Sequence, residues 1–270
     1  MALPDSDAET GARALAGRHA LVTGGSRGIG AACATALAEH GAALTLVGRT
    51  AASLEERAAA IARAGVSEIG WFAADVTDQA AFDKGLGDAT QARGEIAVLI
   101  NNAGGTTSAP LEALDEANWN DTLTLNLTVA YRTMRQVIPG MKAAGWGRIV
   151  NIASVAGLHG YAYIAAYCAA KHGLVGLTRA AAVELAKTGI TVNAVCPGYV
   201  DTDMSQESVE RIAEKTGRSK DEAQAALTAT NPQGRLIQPK EVAAAVLFLC
   251  LPAAASITGT ALPIAGGEVT

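Results

Sequence analysis

Short runs of β-branched and aliphatic residues recur along the chain at 18–23, 43–48, 68–73, 96–101, 147–152, 190–195 and 260–264. Runs this short and this continuously apolar predict strands covered on both faces. Between them lie longer segments, 28–40, 51–64, 78–93, 118–143, 163–187 and 240–250, rich in Ala, Leu and Glu, with apolar positions three and four apart. That spacing gathers the apolar side chains on one side of a helix. Gly41, Gly65, Gly94 and Gly189 punctuate the helix ends, where a residue free to turn left-handed is favoured. Strand and helix in alternation predict a single α/β domain, a doubly wound parallel sheet of seven strands flanked by helices.

Only 201–239 breaks the rhythm. It is polar and charged, with a helical look between Gln206 and Ala229, and its place after the sixth strand predicts a small helical lid. Residues 1–16 read as a loosely held, acidic tail, leaving 17–270 as the domain. The nearly uncharged stretch from Ala243 to Leu262 is long enough to cross a bilayer, but Pro252 and Gly259 interrupt it. It reads as a buried helix, a turn and a final strand.

A net charge of −5 without a dense Lys/Arg stripe supplies no footprint for nucleic acid or an anionic membrane. The N-terminus lacks the basic-then-apolar order of an export signal, so the expected partner is a small molecule. Cys33, Cys168, Cys196 and Cys250 are far apart, without C-x-x-C or His spacing. They predict buried thiols in a reducing, cytoplasmic setting, with neither disulfide nor metal site.

Directly behind His19–Val22 stands Thr23-Gly24-Gly25-Ser26-Arg27-Gly28-Ile29-Gly30. Glycines at 24, 28 and 30 permit a sharp strand-to-helix turn and let the backbone approach a pyrophosphate, while the helix N-terminus attracts the anion. A plain turn would show the same glycines, so residues further on decide. Tyr167 and Lys171, four apart in a helical segment, share one face. An ammonium there stabilises a phenolate and lowers the tyrosine pKa from about 10. Ser154, at the end of the fifth strand, could hydrogen-bond the oxygen that Tyr167 protonates, and Asn126 in the long helix both donates and accepts. Singly, these are a packed tyrosine, a solvated lysine and a capping serine. Cys168 is turned about 100° from Tyr167 around the helix and reads as packing.

Taken in order, Thr23-Gly24-x-x-x-Gly28-x-Gly30, Asn101-Asn102-Ala103-Gly104, Asn126, Ser154, Tyr167-x-x-x-Lys171 and Pro197-Gly198 resemble the short-chain dehydrogenase/reductase family, over nearly the whole chain. The resemblance implies a Rossmann-type fold, a nicotinamide cofactor, and hydride transfer between a carbonyl and a secondary alcohol. It makes Tyr167 the general acid or base and gives Ser154 the substrate oxygen to orient. Lys171 would lower the Tyr167 pKa and bond the nicotinamide ribose, and Asn126 would hold a water linking Lys171 to solvent. Gly24, Ser26, Arg27, Gly28, Ile29 and Gly30 would form the cofactor cradle, with Asn102, Ala103 and Gly104 on the adenosine side. Asp75 and Val76 would contact the adenine, and Pro197, Gly198, Val200 and Thr202 would lie toward the nicotinamide.

The second strand ends in Gly48-Arg49-Thr50, with no carboxylate for the ribose hydroxyls. Arg49 and Arg27 instead suit a 2′-phosphate. NADP(H) is the expected cofactor; NAD(H) is the alternative, with Arg49 stacked on adenine or facing solvent. The expected reaction is reduction of a 3-oxoacyl or similar apolar ketone. Its pocket would be bounded by Gly105–Pro110, Val155–Tyr163 and the chain from Asp203 on, and lined by Leu158, Tyr161, Tyr163 and Met204. Two other functions stay open: an NAD-dependent secondary-alcohol or 3-hydroxyacyl dehydrogenase, and a non-catalytic nucleotide-binding sensor. The resemblance also implies a homotetramer formed through the long helices, where Ala180-Ala181-Ala182 would permit close approach, with a dimer as fallback. The end from Gly266 to Thr270 could cross to a neighbouring subunit.

Overall fold

The computed structural model describes residues 13–63 and 68–269. Seven parallel strands form one sheet: β1 (His19–Thr23), β2 (Ala43–Gly48), β3 (Ile69–Ala73), β4 (Ile96–Asn101), β5 (Gly147–Ile152), β6 (Ile190–Pro197) and β7 (Ala261–Ile264). Their spatial order is β3-β2-β1-β4-β5-β6-β7. The chain winds outward from β1 to β3, then returns to the other side of β1 as β4. The carboxyl ends of β1 and β4 therefore flank the switch point, where this architecture opens a crevice.

The helices are α1 (Gly28–Glu39), α2 (Ala51–Arg63), α3 (Gln79–Arg93), α4 (Glu116–Leu123), α5 (Val129–Ala144), α6 (Ala165–Leu185), α7 (Asp203–Thr216), α8 (Lys220–Thr228) and α9 (Pro239–Cys250). Alternate strand residues face opposite ways, and two cores result. Ala20, Val22, Leu46 and Val150 pack against Leu37 of α1, Leu54 of α2 and Val246 of α9. Leu21, Val47, Leu99 and Ile149 pack against Phe82 of α3, Met141 of α5 and Leu185 of α6. A buried polar chain stitches this second side: Thr133 donates to Asn101 at 2.7 Å, Asn101 to Asn151 at 2.9 Å, and Asn151 to Thr178 at 2.9 Å.

Several boundaries differ from the sequence pattern. The long helix expected at 118–143 starts at Glu116, capped by Asp115, and is interrupted by a π turn at Thr124–Thr128 before continuing as α5. The helix expected from 163 starts at Ala165, because Tyr163 takes φ 68°, a left-handed conformation. The lid is two helices, α7 and α8, with Gly217 left-handed between them and a Ser219/Glu222 capping box opening the second. Val209, Ala223, Leu227 and Leu236 give it a small core of its own.

The tail boundary also moves. Leu15 is fully buried in the first core, and its N–H donates to the His40 carbonyl at 2.9 Å. Residues 13–16 are thus docked on the domain rather than loosely held. The rest of the expected tail, 1–12, and Gly65 lie outside the described residues.

Candidate active site

The glycine cradle forms where β1 runs into α1. Gly24 and Gly28 have φ of 64° and 54°, which side chains with a Cβ resist. A Cβ on Gly30 would fall on the Gly24 carbonyl oxygen, and one on Gly24 would stand 2.7 Å from Asn102 Nδ2. Asn102 locks this turn: Nδ2 donates to the Thr23 and Gly24 carbonyls at 3.0 and 3.1 Å, while the N–H groups of Asn102 and Ala103 donate to Thr23 Oγ1 at 3.0 Å each. The Arg27 side chain makes no capping bond to α1, which leaves the N–H groups of the first turn aimed outward for an anion. A cavity of about 400 Å³ opens there, lined in part by Gly28, Thr35, Arg57 and Thr202. Close backbone, uncapped N–H groups and nearby guanidinium groups fit a dinucleotide pyrophosphate. Ile29 packs against the core behind the turn.

Of the two arginines expected at a 2′-phosphate, one is paired and the other stands near a carboxylate without bonding it. Arg27 Nη1 pairs with Asp203 Oδ2 at 2.8 Å, tying the cradle to the first turn of α7. Thr77 donates twice to Asp75 Oδ1, at 2.7 Å through its hydroxyl and 2.9 Å through its N–H. Those bonds first, and the Arg49 charge after them, hold the Asp75 carboxyl below its usual range. Arg49 therefore bears on Asp75, while Val76 packs into the second core. A third guanidinium went unnoticed in the sequence: Arg57 of α2 donates from Nε to the Ser26 carbonyl at 3.3 Å. No local signal marks it, since only the packing of α2 beside the cradle brings it there.

Asn126, Ser154, Tyr167 and Lys171 converge beyond the carboxyl ends of β4 and β5. Lys171 is 3% exposed; its Nζ donates to the Ile152 carbonyl at 2.8 Å and lies 5.4 Å from the Tyr167 ring centroid. Burial pulls the Lys171 ammonium down to about 8. Burial also pushes the Tyr167 phenol up to about 12, with a Ser154 hydrogen bond acting in the opposite sense. The expected lowering of Tyr167 by Lys171 does not appear in the protein by itself, where desolvation first, and the nearby Cys168, Tyr199 and Cys196 after it, disfavour the phenolate more than Ser154 favours it. Ser154 opens a short 3₁₀ turn, and its Oγ accepts from the Ala156 N–H at 3.1 Å.

Asn126 sits in the π turn. Its Nδ2 donates to the carbonyls of Thr122 and Gly105 at 2.9 and 2.8 Å, and its Oδ1 accepts from the Gly105 N–H at 3.2 Å. A widened turn leaves a helix carbonyl to find another donor, and the Asn126 side chain serves Thr122 so. Gly104 is the closest approach of this loop: a Cβ there would stand 2.8 Å from Asn126 Oδ1 and 3.6 Å from Lys171 Nζ. On the far side, Pro197 ends β6, the Gly198 N–H donates to Ile264, and Val200 bridges to Ile237. Thr202 Cγ2 would be 3.1 Å from a Cβ on Gly28, so this segment closes on the cradle.

The rim joins three segments. The Ala109 N–H donates to the Tyr163 carbonyl at 2.9 Å, while Tyr163 and Met204 are exposed. Tyr161 is not free: its hydroxyl donates to Glu268 Oε1 at 2.7 Å, as does the Thr230 hydroxyl of the lid segment. Near the end of the chain, Glu268 is tied to its own domain by these two bonds; Thr270 lies outside the described residues. Glu268 is 107 residues from Tyr161, and no spacing in the sequence marks the pair.

A doubly wound parallel sheet, with an anion cradle at its switch point and a half-buried tyrosine paired with a buried lysine facing it, defines a dinucleotide-dependent enzyme. The comparisons narrow the class. The family model for short chain dehydrogenases matches residues 18–213. Over 256 residues the chain is 39% identical to a D-beta-hydroxybutyrate dehydrogenase of Cupriavidus necator, covering 94% of this chain and 99% of that one. Over 253 residues it is 41% identical to a 3-oxoacyl-acyl-carrier-protein reductase of Vibrio harveyi, covering 94% and 98%. The crystal structure of an actinorhodin polyketide ketoreductase variant with NADPH matches with a TM-score of 0.89 at 39% identity, covering 93% of this chain and 97% of that one. The chain belongs to the short-chain dehydrogenase/reductase family and is a ketoreductase-like oxidoreductase of that family, acting between C=O and CH–OH.

Proposed function

We propose that this enzyme reduces a 3-oxoacyl or similar apolar ketone and that NADP(H) is its preferred cofactor. The observation that carries the reading is the group of half-buried Ser154 and Tyr167 with buried Lys171 beside the glycine cradle. Similarity to a 3-oxoacyl reductase and to a ketoreductase crystallised with NADPH supports it. The nicotinamide, when bound, supplies the hydride. Ser154 orients the carbonyl oxygen, and Tyr167 gives that oxygen its phenolic proton. A phenol pushed up to about 12 keeps its proton until the substrate takes it. Lys171, with its pKa pulled down to about 8, changes charge close to neutrality and is placed to return the proton. Asn126 and Gly104 hold the loop through which that proton reaches solvent. Arg27, Arg49 and Arg57 surround the adenosine end, where the extra phosphate would sit.

One observation favours a second reading. Arg27 is paired with Asp203, so it does not stand idle for a phosphate. An NAD-dependent secondary-alcohol or 3-hydroxyacyl dehydrogenase would leave that pair intact, and similarity to a hydroxybutyrate dehydrogenase supports it.

The assembly proposed is a homotetramer built on α5 and α6, where Tyr131 and Val183 are exposed at 47% and 81%. A cytoplasmic setting suits the four free cysteines; among the described residues no helix is long and apolar enough to cross a membrane.

Separate titrations with NADPH and NADH, followed by nicotinamide fluorescence, decide the cofactor. A preference for NADPH of about tenfold or more, about 1.4 kcal/mol, supports the arginine clamp; a preference for NADH makes the dehydrogenase reading the leading one. Tyr167→Phe should abolish turnover and leave cofactor affinity nearly unchanged. Surviving turnover would remove Tyr167 from its role.

A further inference from the structure

One side chain near the end of the chain joins three segments that border the site, and the reaction as described does not use it. β7 leads through Gly266 and Gly267 into Glu268. This turn lies directly on the end of the lid segment: a Cβ on Gly266 would overlap the Asn231 side chain. Glu268 is thereby set between the lid, the loop Val155–Tyr163 and the chain that follows β6. Its Oε1 accepts from two hydroxyls at once, that of Tyr161 in the loop and that of Thr230 in the lid segment, each at 2.7 Å. Its Oε2 is buried against Gly198, where a Cβ would stand 3.0 Å away.

The lid has few other ties. Its own core is small, made of Val209, Ala223, Leu227 and Leu236. An exposed ion pair, Arg27 with Asp203, holds its entry, and at its exit the Ile237 N–H donates to the Tyr199 carbonyl at 2.9 Å. Among the described residues, Glu268 makes the only hydrogen-bonded link between 203–236 and the loop Val155–Tyr163. Two hydroxyls bonded to one oxygen keep a fixed separation, so lid and loop stay together or the bonds break. Burial first, and the Glu268 bond after it, push the Tyr161 phenol up, so it keeps the proton it donates.

We propose that Glu268 is a positioning residue for substrate, a clasp whose Oε1 holds the lid to the loop Val155–Tyr163 and thereby sets how tightly the ketone binds. Its bonds go to none of Ser154, Tyr167 and Lys171, and the chemical step is left to them. The inference rests on the reading that the ketone lies between that loop and the lid.

Two readouts test it. Ethyl acetoacetate, an uncharged 3-oxo ester, is reduced with whichever nicotinamide binds more tightly, and separately trypsin cleavage is followed at Arg211, Lys215, Arg218 and Lys220, all in the lid. E268A loses both bonds; KM should rise about tenfold with kcat within about twofold, and lid cleavage should quicken about threefold or more. E268Q keeps an oxygen that accepts from both hydroxyls and should bring both readouts back close to wild type. A wild-type KM in E268A overturns the inference, as does a raised KM without faster lid cleavage. So does an E268Q protein as impaired as E268A. If the wild type does not reduce the ester, the proposed reaction fails on this ketone and lid cleavage alone decides the clasp. If E268A does not fold, T230V decides: it removes one bond and should raise KM and lid cleavage about threefold, and unchanged values there overturn the inference.

Discussion

Replacing Lys171 by Met should make the protein more stable near pH 7 and less stable near pH 10. Lys171 is buried, and its pKa falls from 10.5 to about 8 in the folded chain. Holding its proton at neutral pH therefore costs the fold about 3 kcal/mol relative to the unfolded state. Met fills much the same space without charge, but it abandons the hydrogen bond to the Ile152 carbonyl, a loss of about 1–2 kcal/mol. The variant should gain about 1–2 kcal/mol at pH 7. Between about 8 and 10.5 the unfolded wild type carries a proton that the folded wild type lacks, so wild-type stability rises with pH through that window. Most of the 3 kcal/mol is regained by about pH 10, and the order of stabilities reverses. Urea denaturation of both proteins at fixed concentration, at intervals from about pH 7 to 10, measures the difference and cancels the titration of the buried thiols common to both. A difference that stays flat across this range would refute the assignment of a destabilising charge to Lys171, as would a variant weaker at pH 7 by about 2 kcal/mol or more.

Gly30→Ala would drive a methyl group onto the Gly24 carbonyl; NADPH affinity should fall by about tenfold or more, and unchanged affinity in the fluorescence titration would mean that the cradle does not hold the cofactor. Asp203→Ala releases Arg27 from an exposed pair worth at most about 1 kcal/mol. NADPH should then bind up to about fivefold tighter at low salt with NADH unaffected, and an equal change for both cofactors would place Arg27 away from the 2′-phosphate. Asn151→Leu deprives Asn101 and Thr178 of their buried partner and should cost about 2–4 kcal/mol, read by denaturant titration; a loss below about 1 kcal/mol would show that the network is not needed for stability.

The strands were legible because a sheet covered on both faces demands continuous apolar runs, and those are local facts of the chain. The cradle was legible for the same kind of reason: Gly24, Gly28 and Gly30 lie within seven residues, where backbone geometry alone restricts the choice. Tyr167 and Lys171 share one helix, so helical period sufficed to pair them. Ser154 and Asn126 stood out as polar groups at a strand end and in the long helix, but their roles came from the family resemblance, since only the sheet's winding brings β5 and the long helix to the same crevice.

What only the tertiary structure decided depends on distance in sequence and on burial. Arg57 reaches Ser26, Arg27 reaches Asp203 and Tyr161 reaches Glu268 through packing that no period encodes. The π turn around Asn126 follows from a side chain competing with the helix backbone for the Thr122 carbonyl and bonding the Gly105 loop. The charge state of the catalytic pair was also beyond the sequence. Spacing placed an ammonium beside a phenol, but desolvation moved Lys171 down and Tyr167 up. The sequence by itself determined which groups are present and which share a local element; the folded environment determined how far each is removed from water, and hence which of them holds a proton.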